Sequence, residues 1–333
     1  MERITMEHGS GGRATGKLIA EIFEKEFSNE VLSQMEDAAV VEGSAKLAVT
    51  TDSFVVTPLE FPGGDIGRLS VCGTVNDLLM RGAIPKYLTC GFILEEGAQV
   101  AQLKRIVASM AKTAREAGIK IVAGDTKVVE GAGGIFINTT GVGFVPEGVN
   151  IGVANSRAGD VILVSGNLGD HHATILSSRM GIANSLQSDN APLGDMVTKL
   201  MDAGIAVHVL RDITRGGLAT VLKELAVSSG LKFEIEEATL PVSAQVRDFC
   251  GLLGLDPLYM GNEGKLAAIV AREDAQKALK IMQGAAYGEN AVILGEVVEP
   301  ETEAERGRLT LKTRIGGRRI LDELQGEGLP RIC

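Results

Sequence analysis

Four aspartates in the first half of the chain stand among small or apolar residues. They are Asp37, Asp52, Asp77 and Asp125. A buried carboxylate without a partner loses its hydration, so four of them in one domain are tolerated best if they face a common cation. Oxygen ligands of this kind select Mg²⁺ together with nucleotide phosphates. Taken singly, each aspartate is typical of a cap or a turn; as a set, they predict a site for Mg²⁺ and a nucleotide.

The second half contains a polar turn that is suited to an anion. Residues 211–218 read Arg-Asp-Ile-Thr-Arg-Gly-Gly-Leu, so Asp212, Thr214 and Arg215 precede a predicted helix that begins at Gly216. An aspartate or threonine is an ordinary helix N-cap. Two arginines and two glycines at a helix N-terminus also favour phosphate binding.

Two further turns, 164–172 and 260–265, have a similar composition. The first contains His171 and His172, and the second contains Asn262 and Glu263. Each turn alone is weak evidence. For the two histidines, a structural role at the start of a helix and a role in catalysis are equally compatible with the sequence.

A glycine-rich segment near the N-terminus partly matches a phosphate-binding loop. Residues 11–18 fit G-x-x-x-x-G-K, but Leu18 stands where such a loop needs Ser or Thr for Mg²⁺, and no strand precedes it. We therefore do not interpret the segment as a Walker A motif. Gly11 and Gly12 are compatible with a segment that folds over a phosphate with its backbone N–H groups, or with a frayed start to the first helix.

The elements that position these residues mix helical and strand patterns in both halves of the chain. The predicted strands cover residues 46–51, 86–94, 119–123, 135–145, 161–164, 232–235, 265–271, 291–297 and 308–313. The predicted helices cover residues 14–27, 99–117, 170–180, 194–203, 216–228 and 274–282. A polar stretch, 150–159, separates the two series. We predict an α/β (α+β) protein with domains at 1–155 and 156–320 and a tail at 321–333.

The predicted tail contains Gly326, Gly328 and Pro330, lacks an amphipathic stretch and ends in Cys333. Such a segment is typically mobile. About a dozen extended residues span roughly 40 Å, so the terminal thiol has a long reach. The sequence is compatible with a tail that rests inside a nucleotide site and with one that rests outside it.

The composition is that of a soluble globular protein, with 45% apolar and 23% charged residues in 333. The 33 basic and 43 acidic residues give a net charge of −10, which argues against a nucleic-acid-binding surface. No apolar run approaches the ~18 residues of a membrane helix, and no secretory signal is apparent. A cytoplasmic protein without a membrane partner is therefore expected. Cys72, Cys90 and Cys250 stand in apolar surroundings and are expected to be buried and reduced.

These motifs resemble the ATP-dependent superfamily of aminoimidazole ribonucleotide synthetase and selenophosphate synthetase. The aspartate series, the Gly-Asp-Thr turn around Asp125 and the turn around Asp212 carry this resemblance. Within the superfamily, the chain is similar to the HypE family of hydrogenase maturation proteins. The segments that carry this closer similarity are 8–12, 169–171, 211–217, 261–264 and the final Pro-Arg-Ile-Cys, 330–333. One departure is His172, where a glycine is expected.

The resemblance implies a two-domain fold of the aminoimidazole ribonucleotide synthetase type and a homodimer formed through the N-terminal domains. ATP and Mg²⁺ would be held between domains and neighbouring subunits. Such proteins accept a carbamoyl group on the C-terminal cysteine from the carbamoyltransferase HypF. They then use ATP to dehydrate it to a thiocyanate, and the cyanide passes to the HypC–HypD complex for the iron centre of NiFe-hydrogenase.

The resemblance also implies site residues. Cys333 would carry the carbamoyl group, and Lys127 and Glu263 would serve in deprotonation and in handling the tail. The implied ATP-binding residues are Gly11, Gly12, Asp52, Asp77, Asp125, Asp212, Thr214, Arg215, Gly216 and Asn262, and the implied metal ligands are Asp37, Asp52, Asp77 and Asp125.

Two other functions are compatible with the residues. Another ATP-dependent synthetase of the same fold would make a small phosphorylated product, and it would not need a mobile terminal thiol. A non-catalytic assembly factor would use the tail only as a docking peptide. Chemical change at Cys333 distinguishes the three.

Overall fold

The computed structural model describes residues 3–10, 12–35, 38–325 and 329–333. The strands are β1 (Leu47–Phe54), β2 (Glu60–Phe61), β3 (Gly64–Asp65), β4 (Ile84–Glu95), β5 (Lys120–Val129), β6 (Ile135–Phe144), β7 (Val161–Val164), β8 (Val207–Asp212), β9 (Lys232–Glu236), β10 (Leu266–Val270), β11 (Val292–Val298), β12 (Leu309–Lys312) and β13 (Arg318–Leu321). The α-helices are α1 (Arg13–Leu18), α2 (Lys25–Phe27), α3 (Ile66–Leu79), α4 (Val100–Glu116), α5 (Asp170–Met180), α6 (Gly194–Asp202), α7 (Gly217–Ser229), α8 (Ala244–Leu253) and α9 (Ala275–Gln283).

The first half of the chain builds a four-stranded sheet in the order β1-β6-β4-β5. Only the β4–β5 pair is parallel, and the other pairs are antiparallel. Alternate residues of β6 are buried, as expected for a sheet with one covered face. Helices α3 and α4 pack on that face. The other face carries exposed apolar side chains, including Val49, which is 64% exposed, and Ile93.

The two helices on this sheet differ in how clearly the sequence specifies them. Helix α4 has an apolar stripe that includes Leu103, Val107 and Met110, all of which are buried, and its prediction over 99–117 is confirmed. Helix α3 is buried on almost every side and therefore shows no stripe. Asp65 caps α3, since its Oδ1 accepts hydrogen bonds from the N–H groups of Gly67 and Arg68 at 2.7 and 2.9 Å.

The second half builds a seven-stranded sheet in the order β13-β12-β9-β11-β7-β10-β8. Every residue of β7 and β10 is buried because helices cover both faces of these central strands. Leu163 and Ala268 pack into the core that includes α6 and α9, whereas Ile162 and Ala267 pack into the core that includes α7. The first of these cores is continuous with the core of the N-terminal sheet, so the two halves pack against each other.

The predicted α/β (α+β) architecture is confirmed. Strand β7 has the predicted bounds, and the other predicted strands are found within a few residues, apart from a longer β5. The hydrophobic pattern of the sequence did not predict helices α3 and α8 or strand β8. The connection between β6 and β7 contains the predicted boundary at 155/156, and that boundary stays a prediction. None of the helices in the described part of the chain is long and apolar enough to cross a membrane.

Candidate active site

A cleft of about 520 Å³ lies between the two halves of the molecule. Strand β1 and helix α3 form one wall, and the turn from β8 to α7 forms the other. The cleft brings together seven of the predicted site residues, Asp52, Asp77, Asp212, Thr214, Arg215, Glu263 and Cys333. Polar groups from distant parts of the chain therefore converge at one place.

Two threonines orient the first pair of carboxylates. The hydroxyl of Thr74 donates to Asp52 at 3.0 Å, and the hydroxyl of Thr50 donates to Asp77 at 2.7 Å. Burial and the charge of Asp77 raise the pKa of Asp52, while the Thr74 hydrogen bond and the charge of Arg215 act in the opposite direction. Neither threonine carries a motif signal, and sequence reasoning missed both.

A third carboxylate, Asp212 at the end of β8, adds to the negative charge. Burial, followed by the charge of Asp77, raises the pKa of Asp212 to about 7. Within residues 3–10, 12–35, 38–325 and 329–333, no three His, Cys, Asp or Glu side chains are spaced to hold a metal ion by themselves. Three carboxylates that repel one another nevertheless suit a cation whose remaining ligands are phosphate oxygens or water.

The turn between β8 and α7 has a backbone that glycine makes possible. Gly216 and Gly217 have φ values of +85° and +69°. A Cβ atom on Gly217 would lie 2.5 Å from the carbonyl oxygen of Leu258. The N–H of Gly217 donates to the carbonyl of Thr214 at 3.0 Å, which closes the turn and directs Arg215 toward the cleft.

Glu263 is the most deeply buried acid of the cleft, at 4% exposure. Burial raises the pKa of Glu263 well above its ordinary value, and the charges of Asp189 and Asp212 raise it further. Its Oε1 has no hydrogen-bond partner among the described residues, and the carboxyl interacts with the thiol of Cys333, which lines the same cleft. A buried carboxyl of raised pKa in contact with a thiol is suited to proton transfer.

The terminal thiol rests inside this cleft. Burial and the charge of Glu263 raise the pKa of Cys333, so the thiol is protonated in this position. The backbone N–H of Val55 donates to a main-chain oxygen of Cys333 at 3.0 Å, and that of Thr57 donates to the carbonyl oxygen of Arg331 at 3.1 Å. The structure thus describes a docked form of the tail, and its mobility stays a prediction.

Asn262 lies beside the cleft rather than in its wall. Its Oδ1 accepts a hydrogen bond from the N–H of Gly169 at 2.7 Å, and its own N–H donates to the carbonyl of Ile213 at 3.2 Å. The residue therefore joins the three polar turns that the sequence singled out. His172 leaves its turn intact, because its N–H reaches the carbonyl of Gly261 at 3.2 Å and α5 begins normally at Asp170.

Asp125 and Lys127 lie outside the cleft of their own chain. Both are on β5, where they form an ion pair of 2.7 Å, and both line a second cavity of about 310 Å³. The expected convergence of Asp125 with Asp52 is therefore wrong within one chain. Strands β1 and β5 are opposite edges of the sheet, about 14 Å apart at the usual strand spacing. Asp52 also faces α3, whereas Asp125 is in register with Gly91 on the other face.

Three predicted residues of the N-terminal region complete the set. Gly12 precedes α1 as its N-cap, near the second cavity. Gly11 and Asp37 lie outside the described residues.

Comparison with known families and proteins agrees with this geometry. The family described as AIR synthase related protein, N-terminal domain, matches residues 35–145, and its C-terminal counterpart matches residues 157–307. Carbamoyl dehydratase HypE of Cupriavidus necator is 52% identical over 337 residues, covering 99% of this chain and 95% of that relative. The chain belongs to the HypE family.

Solved HypE structures share the whole fold. Hydrogenase maturation protein HypE in complex with ATP superposes with a TM-score of 0.95 at 48% identity, covering 98% of this chain and 99% of that chain. The structure of a HypE–HypF complex gives a TM-score of 0.80 at 48% identity, covering 92% of this chain and 99% of that chain. The predicted two-domain fold of the aminoimidazole ribonucleotide synthetase type is thereby confirmed.

Proposed function

We propose that this chain is an ATP-dependent carbamoyl dehydratase that acts on its own C-terminus. It converts an S-carbamoyl group on Cys333 to a thiocyanate, which supplies cyanide for the iron centre of NiFe-hydrogenase. The observation that carries the proposal is the position of the Cys333 thiol beside the buried Glu263 inside a cleft lined by carboxylates and Arg215. The name of the Cupriavidus necator relative and the ATP complex of a HypE protein support it.

The reaction balances without an external oxidant or reductant. The carbamoyl oxygen attacks the γ-phosphorus of ATP, ADP leaves, and the oxygen becomes part of a phosphate leaving group. Loss of that phosphate and of two protons from nitrogen leaves a carbon–nitrogen triple bond on sulfur. The products are the S-cyano cysteine, ADP, inorganic phosphate and a proton. Phosphorylation is needed because an amide oxygen is otherwise a poor leaving group.

Glu263 is the proposed base. A carbamoyl group on Cys333 extends from a sulfur that already contacts this carboxyl, so its nitrogen lies within reach of Glu263. The raised pKa makes the carboxylate a stronger base than an exposed glutamate. Lys127 is proposed to assist at nitrogen from a neighbouring subunit, because its own chain holds it away from the cleft.

Asp52, Asp77 and Asp212 would hold Mg²⁺ together with the triphosphate, and Arg215 would contact phosphate oxygens. The excess of buried negative charge in the cleft fits a divalent cation. When bound, Mg²⁺ neutralises charge on the phosphates and polarises the γ-phosphoryl group. Gly216, Thr214 and the N-terminus of α7 offer backbone N–H groups to an anion. The predicted ATP role of Asn262 is proposed to be indirect, through the turns that it joins.

A homodimer through the N-terminal sheet is proposed. The face opposite α3 and α4 exposes Val49 and Ile93, and Asp125 and Lys127 lie on the same face. An exposed apolar sheet face of this kind is suited to self-association. A second copy on it would bring a β5 edge toward a β1 edge and so complete the cleft in trans.

HypF is the proposed carbamoyl donor, and the structure of a HypE–HypF complex at 48% identity supports it. The HypC–HypD complex is the proposed cyanide acceptor, and the cytoplasm the proposed location. The experiment is mass spectrometry of the C-terminal peptide after incubation with HypF, carbamoyl phosphate and ATP. We expect a gain of about 43 Da followed by a loss of about 18 Da, as group transfer to a thiol requires. An unmodified peptide, or modification of Cys72, Cys90 or Cys250 instead, would refute the proposal.

A further inference from the structure

The last four residues dock along residues 55–57, just beyond the end of β1. The N–H groups of Val55 and Thr57 donate to the main-chain oxygens of Cys333 and Arg331 at 3.0 and 3.1 Å. Both bonds run from the 55–57 segment to the tail, so the tail is held through its main-chain oxygens rather than as a reciprocally paired β-strand.

The two carbonyls that point away from residues 55–57 are also bound. His171 Nε2 lies 2.7 Å from the carbonyl oxygen of Ile332, and Nη1 of Arg179 donates to the carbonyl of Pro330 at 2.7 Å. Each residue from 330 to 333 thus has a main-chain oxygen that accepts a hydrogen bond. The two donors belong to α5, which begins at one of the polar turns and ends beside the tail.

The hydrogen bonds of His171 determine its tautomer. A carbonyl oxygen only accepts, so Nε2 carries the proton that it gives to Ile332. Nδ1 lies 2.7 Å from the hydroxyl of Ser188 and accepts from it, while Ser188 accepts from the N–H of Asn190 at 3.2 Å. Burial lowers the pKa of His171, which keeps the ring neutral. The imidazole is therefore a fixed donor aimed at the tail.

Arg179 ties the tail to the segment along which it docks. Its Nε donates to the carbonyl of Thr57 at 2.7 Å, and its Nη2 donates to the carbonyl of Arg331. One guanidinium thus contacts both the tail and the 55–57 segment. Arg331 has φ of +54°, a conformation that a non-glycine residue rarely adopts, so external contacts must hold this backbone.

The side chain of Ile332 gives the docked form its apolar anchor. It is 2% exposed, and a Cβ atom on Gly261 would lie 3.1 Å from its Cδ1. Arg331, by contrast, is exposed. The tail is thus bound through its main chain and one buried side chain. The residue that follows, Cys333, lies beside Glu263.

We propose that His171 and Arg179 are positioning residues that hold the tail docked along residues 55–57 and thereby place the sulfur of Cys333 beside Glu263. Neither residue contacts the thiol, and both act through main-chain carbonyls. The consequence for dehydration rests on the proposed function. The docking of the tail does not rest on that function, because it is a property of the protein with an unmodified Cys333 thiol.

The first test measures the rate at which a small maleimide labels Cys333 in the full-length protein, since the other three cysteines are buried. A free Leu-Pro-Arg-Ile-Cys peptide gives the rate of the undocked thiol, so the ratio of the two rates is the undocked fraction. We expect Arg179→Ala and His171→Ala to raise the labelling rate about ten-fold, as loss of a hydrogen bond at a buried site does. His171→Gln, whose amide N–H keeps a donor, should raise it less.

Controls separate positioning from folding. Arg272→Ala removes an arginine that also donates to a backbone carbonyl, that of Gly159, far from the tail. It should leave the labelling rate unchanged. Ser188→Ala is a second route to the same effect if His171→Ala does not fold, because it removes the partner of Nδ1 and leaves the ring in place. Unchanged labelling in folded Arg179→Ala and Ser188→Ala proteins would overturn the proposal.

A second readout separates this proposal from the proposed function. Carbamoylated variants are given saturating ATP in a single turnover, and the rate of conversion should be proportional to the docked fraction, with ATP affinity unchanged. If wild type shows no conversion but the labelling differences persist, the docking role stands and the dehydratase function fails. If conversion proceeds at the wild-type rate in a variant whose tail is undocked, the positioning role fails and the function stands.

Discussion

The backbone N–H of Glu263 donates a hydrogen bond of 3.0 Å to the carboxylate of Asp189. The Asp189 side chain is almost fully buried, and its other oxygen lies 3.7 Å from Nζ of Lys265. An anion behind the proposed base disfavours a second negative charge, and after burial it is the largest cause of the raised pKa of Glu263. The strength of the base is therefore built into the fold around it.

Asp189→Asn should shift the pH dependence of dehydration. Asparagine keeps an oxygen for the N–H of Glu263 but removes the charge, so the pKa of Glu263 falls. Because the reaction needs the ionised base, the rising limb of the rate–pH profile should move to lower pH, and the plateau should fall modestly as the base weakens. Single-turnover conversion measured across pH tests this. Asp195→Asn, an exposed position paired with Lys199, is the control, and an unmoved limb in Asp189→Asn would contradict the prediction.

Glu263→Gln should abolish dehydration without loss of the fold. The amide can still contact Cys333 but cannot take a proton, so we expect a loss of about 10²–10⁴-fold in the conversion rate. Carbamoylation by HypF and binding of ATP should persist. Glu224→Gln, in the same cleft wall but exposed and paired with Arg211, serves as the matched control. Conversion at the wild-type rate in Glu263→Gln would assign this residue a purely structural role.

Asp212→Asn should stabilise the protein in the absence of nucleotide and divalent cation. An aspartate with a folded pKa of about 7 keeps its proton in the cleft while the unfolded chain has already lost it, so wild-type stability falls as the pH rises from about 4 to 7. The variant lacks this penalty and should gain on the order of 1–3 kcal/mol at pH 8, and little at pH 4. Urea unfolding at both values measures it, with the exposed Asp202→Asn as control. If Asp212→Asn is less stable than the wild type at pH 8, favourable interactions of the ionised Asp212 carboxylate outweigh the cost of its burial. That result would contradict the prediction.

Mixing two inactive variants tests the shared site. Lys127→Ala chains keep Glu263, and Glu263→Gln chains keep Lys127, so a mixed homodimer contains one complete cleft only if Lys127 acts on the neighbouring subunit. Random exchange makes half of the dimers mixed, and about a quarter of all sites should then recover. Variants that also carry Val49→Asp on the exposed sheet face should lose the recovery, since a buried charge opposes association. If mixed dimers that keep Val49 recover no activity, then Lys127 does not act in the cleft of the neighbouring subunit. It would then act beside Glu263 of its own chain, or not in the cleft at all.

Local patterns predicted most of the fold. Strand β7 and helix α4 follow from an apolar run and an apolar stripe, both of which depend only on neighbouring residues. Helix α3 does not follow, because a helix buried on all sides has no periodicity to detect. The failure to predict α3 matters for the site, because this helix supplies Thr74 and Asp77.

The turns around Asp212 and Glu263 have a distinctive composition that drew attention to them, and the structure places both at the cleft. Their roles in the reaction stay predictions. Asp125 does not join these turns, because the order of strands that places β5 at the far edge is absent from local sequence. Arg179 gave no signal at all, since a basic residue in the last turn of a helix is ordinary.

The central claim is that ATP removes the carbamoyl oxygen of a thiol-bound group as phosphate. The most direct measurement starts from protein whose Cys333 bears a carbamoyl group labelled with heavy oxygen. The position of the label is then followed during one turnover with unlabelled ATP. The account predicts one labelled oxygen in each inorganic phosphate released and an S-cyano terminal cysteine free of label. Unlabelled phosphate, with the label retained on the protein or released to water, would contradict it.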